Sequence, residues 1–509
     1  MNKSDDLEKA TEANADFSTP MRQSYTAILL IAYRLYKVII RQLFPLIIVL
    51  FFGGSFGENG YFMVSVIVIG VLGFIYSIFA FLKYYFWLQD DKLVIQKGVF
   101  KKTKTEIPFD RIQTINFEQN LIHRLFNVVK LNMDTAGSAG AELQINALDQ
   151  TLAKNISDHI LSRKTELPTT GAEVESANDR RHKKTIFRLP IPQLLKVGIT
   201  ENHLKSGGFI ILFFIWIWEN LRDAGLDVEE KIEDYVPDAE AISTSLMLVS
   251  FFVILFIVVS FLISLIRTVL KYYGLQMYRS GDGFIIESGL FNRREIAAKD
   301  QKIQILSWAQ NLLQKWTSIY ELRMRQASSV ANSAQSSITV AGLEWQDVSD
   351  TETYLFKERY TEVENIDFQP VDPYYRYRRM VFWTVLALPL FLIAYAVDSP
   401  RLMIITGVSY LLGLVGSHLS YKKKRWGISE SMVMLRGGVF GNNAMMMELF
   451  KVQNVMVYST PFQRRRALSS IILQSASGQV IIPDIGQDIV ASIQDYILFK
   501  VESSNESWM

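Results

Sequence analysis

Residue types that commonly perform chemistry are sparse in this sequence. The chain has no cysteine, which excludes disulfides, thiolate metal ligands and cysteine nucleophiles. None of the histidines takes part in an HExxH pattern or in another pair at metal-ligand spacing. They are scattered over the chain as His123, His159, His182, His203 and His418. We therefore expect no metal site.

Nucleotide-binding motifs are missing from the sequence as well. Neither GxxxxGK[ST] nor GxGxxG occurs. The glycine-rich stretch 137–142, "GSAGAE", lies between two predicted strands, so a hairpin turn is the better interpretation than a phosphate cradle. The sequence predicts a protein that is not an enzyme and that uses no cofactor.

One short pattern occurs three times. A glycine stands in "QKGVF", "ESGLF" and "RGGVF", and a glutamine follows each glycine at the same interval. The three glycines are Gly98, Gly289 and Gly438. A glycine at the same place in three predicted hairpin turns indicates a structural role, with a left-handed backbone that other residues adopt under strain. A pattern repeated in this way predicts one unit used three times.

Cations accompany the repeated motif. A basic residue stands two positions before each glutamine, which gives the pairs Arg111 and Gln113, Lys302 and Gln304, and Lys451 and Gln453. We interpret these cations as structural partners of carbonyls or carboxylates, with a lipid-facing or partner-facing contact as the alternative. The first copy adds lysines around its turn that form a candidate contact for anionic lipid, namely Lys97, Lys101, Lys102 and Lys104.

Strands and one helix are expected to carry these residues. In the first copy "KLVIQKGVF" and "KTKTEIPF" are typical of strands around a glycine turn. Residues 149–164, "DQTLAKNISDHILSRK", place apolar residues four apart, as in an amphipathic helix. Several strands followed by one helix predict an α+β module.

The first module resembles a known family. Residues 93–137 carry the glycine turn, "IPFDRIQ" at 107–113, "QNL" at 119–121 and "TAG" at 135–137. This stretch is similar to the type 2 bacterial pleckstrin-homology-like domain of a bacterial membrane-protein family. The second copy keeps "KIQ" and "QNL", and the third keeps "KVQ". The resemblance implies a seven-stranded barrel capped by a C-terminal helix, without catalytic activity.

Apolar stretches precede each module. A spanning helix needs about 20 mostly apolar residues, and the stretches that approach or reach this length are 42–57, 61–82, 207–218, 244–266, 380–397 and 402–421. The stretch 207–218 is short, so a re-entrant or interfacial segment is its alternative. The predicted fold class is therefore an α-helical membrane protein plus α+β modules. In it a transmembrane hairpin, followed by a pleckstrin-homology-like β-barrel capped by a C-terminal helix, occurs three times.

The expected organisation follows from these assignments. The first third comprises a disordered N-terminus (1–18), an amphipathic helix with hairpin 1 (25–82), module 1 (83–164) and a linker (165–185). The middle comprises an amphipathic segment with hairpin 2 (186–270), module 2 (271–360) and a linker (361–379). The last part comprises hairpin 3 (380–421), module 3 (422–500) and a tail (501–509).

Charge predicts the orientation. Residues 375–379 and 421–425 are basic at the ends of predicted spans, whereas the loop 221–242 is strongly acidic. Because Lys and Arg near span ends favour the cytoplasm, we expect a multi-pass protein of the bacterial cytoplasmic (inner) membrane with both termini and all three modules cytoplasmic. The expected partners are membrane lipids and a protein partner or a second copy of the chain, and no nucleic acid.

The functional prediction is an integral membrane scaffold or interaction protein in envelope maintenance. It rests on three repeated modules without a catalytic constellation. The alternative is a transporter or lipid-handling membrane protein whose modules gate or assemble the spans. The predicted spans contain no Asp, Glu, Lys or Arg, and coupled transport usually needs such a residue. That absence counts against the alternative.

Overall fold

The structure is a computed structural model that describes residues 17–52, 60–135, 143–166, 184–201, 241–327, 337–504 and 506. Residues 1–16 of the predicted disordered terminus, most of the linker 165–185, the stretch 207–218 and residues 221–240 of the acidic loop lie outside these residues. His182 and His203 also lie outside them. The described chain forms two compact units. Unit 1 contains 1–183, 202–271 and 288–295, and unit 2 contains 184–201, 272–287 and 296–509.

Helices and antiparallel strands alternate along the chain. The first repeat contains α1 (Thr26–Phe52), α2 (Gly60–Leu82), β1 (Tyr85–Gln89), β2 (Lys92–Lys97), β3 (Thr103–Pro108), β4 (Ile112–Gln119), α3 (Leu121–Leu125), β5 (Val128–Thr135), β6 (Leu143–Asp149) and α4 (Gln150–Glu166). The second contains β7 (Lys184–Arg188), α5 (Ile191–Thr200), α6 (Ala241–Tyr272), β8 (Gln276–Ser280), β9 (Gly283–Ser288), β10 (Arg293–Lys299), β11 (Ile303–Gln310), α7 (Leu312–Trp316), β12 (Tyr320–Gln326), β13 (Ser337–Leu343), α8 (Trp345–Phe356) and α9 (Tyr360–Glu364). The third contains β14 (Gln369–Pro370), α10 (Tyr374–Ala396), α11 (Pro400–Lys423), β15 (Arg425–Ile428), β16 (Met432–Gly437), β17 (Asn442–Glu448), β18 (Asn454–Tyr458), α12 (Pro461–Arg464), β19 (Leu468–Ser475), β20 (Gly478–Gly486) and α13 (Gln487–Ser503).

The predicted fold class, an α-helical membrane protein with three transmembrane hairpins, is wrong. Within the described residues, two helices are long and apolar enough to cross a membrane by length and composition, Tyr374–Ala396 and Leu402–Lys423. The apolar run in α2 is shorter, Ile67–Leu82, and α1 carries Arg34, Lys37 and Arg41 along its length. The described residues therefore do not contain the three predicted hairpins, and antiparallel sheets form much of the described fold.

Unit 1 contains the first module. Its strands β1, β2 and β3 form one antiparallel sheet, and β4, β5 and β6 pair in sequence order. Segment 288–295 belongs to this unit, where Arg293 pairs with Gln119. The core between the sheets and helix α4 contains Phe86, Leu131 and Ile156, all fully buried. This arrangement buries one face of each sheet, as an alternating apolar pattern requires.

Unit 2 joins the second and third modules through one sheet. Strand β11 pairs with β12 on one side and with β17 of the next module on the other, with Leu306 opposite Met446 and Gln310 opposite Asn442. Ile305 accordingly packs in the same core as Val433 of the third module. The modules of unit 2 are thus not separate barrels, because a backbone ladder and a shared core connect them.

Each module also takes a strand from the segment before its helices. Met21 forms a β-bridge with Phe86 in unit 1. In unit 2, β7 pairs with β8, and β14 pairs with β15 although α10 and α11 lie between them in sequence. Parts of the predicted linkers therefore belong to the modules. The sequence analysis missed these strands because they are short and stand apart from the other strands.

Candidate functional site

The repeated glycines form left-handed turns. The φ angles of Gly98, Gly289 and Gly438 are 118°, 106° and 124°. A Cβ atom at these positions would lie 1.9, 2.1 and 2.3 Å from a backbone carbonyl oxygen of the same turn. Both the backbone angle and the lack of space require glycine. In each copy the turn projects the two apolar residues that follow the glycine.

These turn tips lie beside helices. Phe100 is 91% exposed and stacks on Tyr76 of α2 with ring centroids 6.4 Å apart. The Leu290 N–H donates to the Leu270 carbonyl of α6 at 2.9 Å. In the third copy Val439 lies against Gly416 of α11. The glycine turn thus brings an apolar tip to the helical segment that precedes each module.

The lysines of the first turn point into solvent. Lys97, Lys101, Lys102 and Lys104 are all exposed. Lys104 pairs with Glu106 at 2.7 Å, and its ammonium lies 5.9 Å from the centre of the Trp87 ring. Three of the four candidate lipid-contacting lysines therefore keep their charge available, whereas Lys104 is partly neutralised.

The repeated cations differ in their environments. Arg111 is exposed, whereas Lys302 and Lys451 are buried. The Lys451 ammonium donates to the Ile303 carbonyl at 2.7 Å and pairs with Glu448 at 2.6 Å. Lys451 thereby links the third module to the second. Of the repeated glutamines, Gln304 is buried and Gln453 is exposed, and the Gln453 N–H donates to the Gln474 carbonyl. The side chain of Gln113 lies outside the described part of the structure.

The junction in unit 2 also contains a cleft of about 360 Å³. Arg359 pairs with Glu448 at 2.7 Å and with Glu506 of the tail. Phe450 lines the cleft between these charges. Because the cations of the cleft are held by carboxylates or carbonyls, the arrangement is suited to holding the modules together.

A buried carboxyl lies in the same junction. Glu352 of α8 is 3% exposed, and burial raises its pKa to about 8 although the Arg436 guanidinium opposes this change. Burial also lowers the pKa of Arg436. The Trp308 indole N–H faces the Glu352 carboxyl without completing a hydrogen bond within the described residues. Desolvation therefore outweighs charge attraction at this pair.

A cluster of three arginines, Arg376, Arg378 and Arg379, lies at the start of α10. Arg378 pairs with Asp484 at 2.8 Å, and the Asp484 carboxylate is fully buried. Gln463 donates to the same carboxylate at 2.5 Å. Arg376 lies 3.4 Å from His418 on the neighbouring helix α11. These contacts fix the helix pair to the third module.

The sequence analysis missed a capped helix that recurs after the repeated glutamine. The backbone N–H groups of Asn120, Asn311 and Thr460 each donate to the side chain three residues later, at 3.3, 2.9 and 2.8 Å. The acceptors are His123, Gln314 and Gln463, all buried. Burial lowers the pKa of His123, which favours the neutral ring whose Nδ1 accepts the Asn120 N–H. The capping-box spacing would have revealed the motif. Among the described residues no group of three His, Cys, Asp or Glu side chains could hold a metal ion.

Strand modules closed by a helix, each with a capped helical turn after the fourth long strand, define a chain of pleckstrin-homology-like domains. The family model for the bacterial PH domain matches residues 38–164, 236–359 and 384–500. The chain belongs to this family, which confirms the resemblance seen at 93–137. It is also similar to the UPF0699 transmembrane protein YdbT of Bacillus subtilis (strain 168), with 22% identity over 440 residues that cover 83% of this chain and 87% of the relative.

Proposed function

We propose that this chain is an integral membrane scaffold of the bacterial envelope that presents its PH-like modules on the cytoplasmic face. The observation that carries the proposal is the β11–β17 ladder, because it makes the second and third modules one platform. A platform without a catalytic constellation is suited to holding partners. Membrane lipids and a protein partner or second copy are the proposed partners, with no nucleic acid and no enzymatic activity.

The helix pair α10 and α11 supplies the proposed anchor. The apolar segments of the two helices are only 6% and 11% buried. Val385, Leu388 and Ile404, for example, are 66%, 59% and 66% exposed. A helix of 23 residues has a length of about 35 Å, enough for a hydrocarbon core of about 30 Å. The name of the relative, a transmembrane protein of a bacterium, supports placement in the envelope.

The proposed orientation rests on charge at the ends of this pair. Arg376, Arg378 and Arg379 begin α10, and residues 422–425, "KKKR", follow at the end of α11. Cations at the module side favour the cytoplasm for the modules. Because the chain has no cysteine, Asp398→Cys between the helices and Glu430→Cys on the module can be compared directly. An impermeant thiol reagent on intact cells should label only position 398. Labelling of position 430 alone would show that the orientation is the opposite of the proposed one.

The scaffold role is tested at the junction. Lys451→Met removes the ammonium that links Glu448 to the Ile303 carbonyl. The matched variant Arg111→Met removes the equivalent exposed cation of module 1. In-membrane cross-linking of the full chain should give a discrete adduct, and Lys451→Met should weaken it while Arg111→Met leaves it unchanged. The scaffold proposal fails if the unmodified chain forms no adduct and solute crosses the membrane only when the chain is present. That result would favour the transport alternative.

A further inference from the structure

Helix α5 exposes an apolar stripe. Ile191, Leu195 and Ile199 are 66%, 45% and 48% exposed, and a spacing of four places them on one face. Leu194 and Val197 are buried against the module on the other face. The module thus uses one side of the helix, and the apolar residues of the other side are exposed. Exposed apolar surface of this kind marks an interaction site.

Helix α7 extends this stripe. Leu312, Leu313 and Trp316 are 44%, 40% and 75% exposed. The Asn311 side-chain amide donates to the Thr200 carbonyl at the end of α5, 2.5 Å away. The two short helices therefore present adjacent apolar residues. A tryptophan exposed to this extent is costly in water but suited to the boundary between lipid and water.

The pairing of β11 with β17 places this surface next to the turn of the third module that contacts the end of α11. Gln310, just before α7, pairs with Asn442 at the start of β17. The adjoining turn accepts two hydrogen bonds from α11, because the Lys423 ammonium donates to the Phe440 and Gly441 carbonyls at 3.2 and 2.7 Å. The turn also contacts Gly416 through Val439, about 10 Å along α11 from Lys423 at 1.5 Å per residue.

Two exposed cations flank the apolar residues. Lys196 of α5 and Lys315 of α7 are exposed, and Lys315 lies close enough to Lys423 to interact with it electrostatically. Continuity with the helix pair and these two lysines favour an anionic bilayer surface over a protein partner as the occupant of the apolar stripe.

We propose that the surface formed by Ile191, Leu195, Ile199, Leu312, Leu313 and Trp316 lies in the headgroup region of an anionic bilayer. The inference rests on the proposed membrane anchor, and it adds a second, peripheral lipid contact outside the spanning helices. Together with α10 and α11 this contact fixes the tilt of the joined modules on the membrane.

The test uses the full chain with one introduced cysteine. Trp316→Cys carries an environment-sensitive fluorophore in vesicles that contain phosphatidylglycerol and nitroxide-labelled lipid. Glu430→Cys is the matched control, because its side chain is 79% exposed and it stands in the turn at the opposite end of β15 from α11. Quenching at position 316 should exceed that at position 430 by about threefold or more, since an interfacial face lies about 5–10 Å into the boundary. In vesicles of phosphatidylcholine alone the difference should shrink.

The outcomes separate the two proposals. If the protein fails to float with the vesicles, the membrane anchor itself is refuted. If it floats and both positions are quenched equally, only the peripheral contact is refuted. If position 316 is protected from aqueous iodide but not quenched by lipid, a protein covers the face and the inference is also overturned. Lys315→Glu should reduce quenching at position 316 in anionic vesicles, and an unchanged value would contradict the role of charge.

Discussion

The buried carboxyl of Glu352 should make the stability of the folded chain fall as pH rises. The pKa of this group is raised from 4.5 to about 8 by burial. Between these two pH values the folded chain retains a proton that the unfolded chain has released, so the folded state is progressively disfavoured across this window. At about 1.4 kcal/mol per pH unit the full penalty is about 3–5 kcal/mol, reached above pH 8.

Glu352→Gln should remove this penalty, because a neutral amide of similar shape replaces the carboxyl. At pH 4, where both the folded and the unfolded chain hold the proton, the variant and the unmodified chain should have similar free energies of unfolding. Near pH 9 the variant should be more stable by several kcal/mol, up to the full penalty of about 3–5 kcal/mol. Both proteins would be unfolded with guanidinium in the same detergent micelles across this range, so that other titrating groups cancel in the difference.

Glu358→Gln is the matched control, because this carboxyl is exposed six positions later in the chain. Its free-energy difference from the unmodified chain should stay within about 0.5 kcal/mol at every pH. A difference between Glu352→Gln and the unmodified chain that is independent of pH would refute the reasoning. A variant that is less stable at pH 9 would show that the ionised carboxyl is stabilised by Arg436 more strongly than burial destabilises it.

Two further predictions concern the glycine turn of the third module and the arginine cluster at the start of α10. Gly438→Val should lower the free energy of unfolding by about 1–3 kcal/mol because of its φ of 124° and its close carbonyl. Gly407→Ala, with open space around an added Cβ, should leave the thermal midpoint unchanged, and equal midpoints for both variants would contradict the strain argument. Arg378→Met should cost about 2–3 kcal/mol, because it leaves the buried Asp484 carboxylate without its cation while the arginine is itself 37% exposed. Asp484→Asn in the same chain should recover most of this loss in denaturant unfolding, and an unrecovered double variant would show that Arg378 acts in another way.

The local turn chemistry was readable from the sequence, whereas the connections between modules were not. A glycine at a constant place in three copies indicates positive φ, since only glycine adopts that backbone easily. The pairing of Leu306 with Met446 depends on two edges meeting in space, and no short-range pattern encodes it. Strand β14 was missed for a similar reason, because two residues are too few to show alternation.

Within the described residues, fewer helices are long and apolar enough to span a membrane than the sequence predicted, because an apolar stretch does not show by itself whether it packs on a module. Helix α1 is apolar over much of its length, but Arg34 donates to Asn146 of the module at 2.8 Å. A guanidinium held by a strand residue ties that part of the helix to the module. The buried cation Lys451 pairs with Glu448 inside its own module, as expected, and it also reaches the Ile303 carbonyl of the preceding one. Sequence alone indicates that such a cation needs a partner, but the partner is chosen by the packing.

In each module, a segment that precedes the helices pairs with a strand that follows them. This pairing constrains the path that the chain can take across a bilayer. Gln369 pairs with Trp426, and Met21 bridges to Phe86, each across a helical insertion. Two segments can share backbone hydrogen bonds only when both are on the same side of a bilayer, so the insertion between them must cross an even number of times, zero included. With the proposed membrane anchor, Gln369 therefore pairs with Trp426 only when α10 and α11 both cross the bilayer or neither of them does. A chain in which only one of these helices crossed would leave this edge of the third module unpaired, and an unpaired strand edge is a template for aggregation.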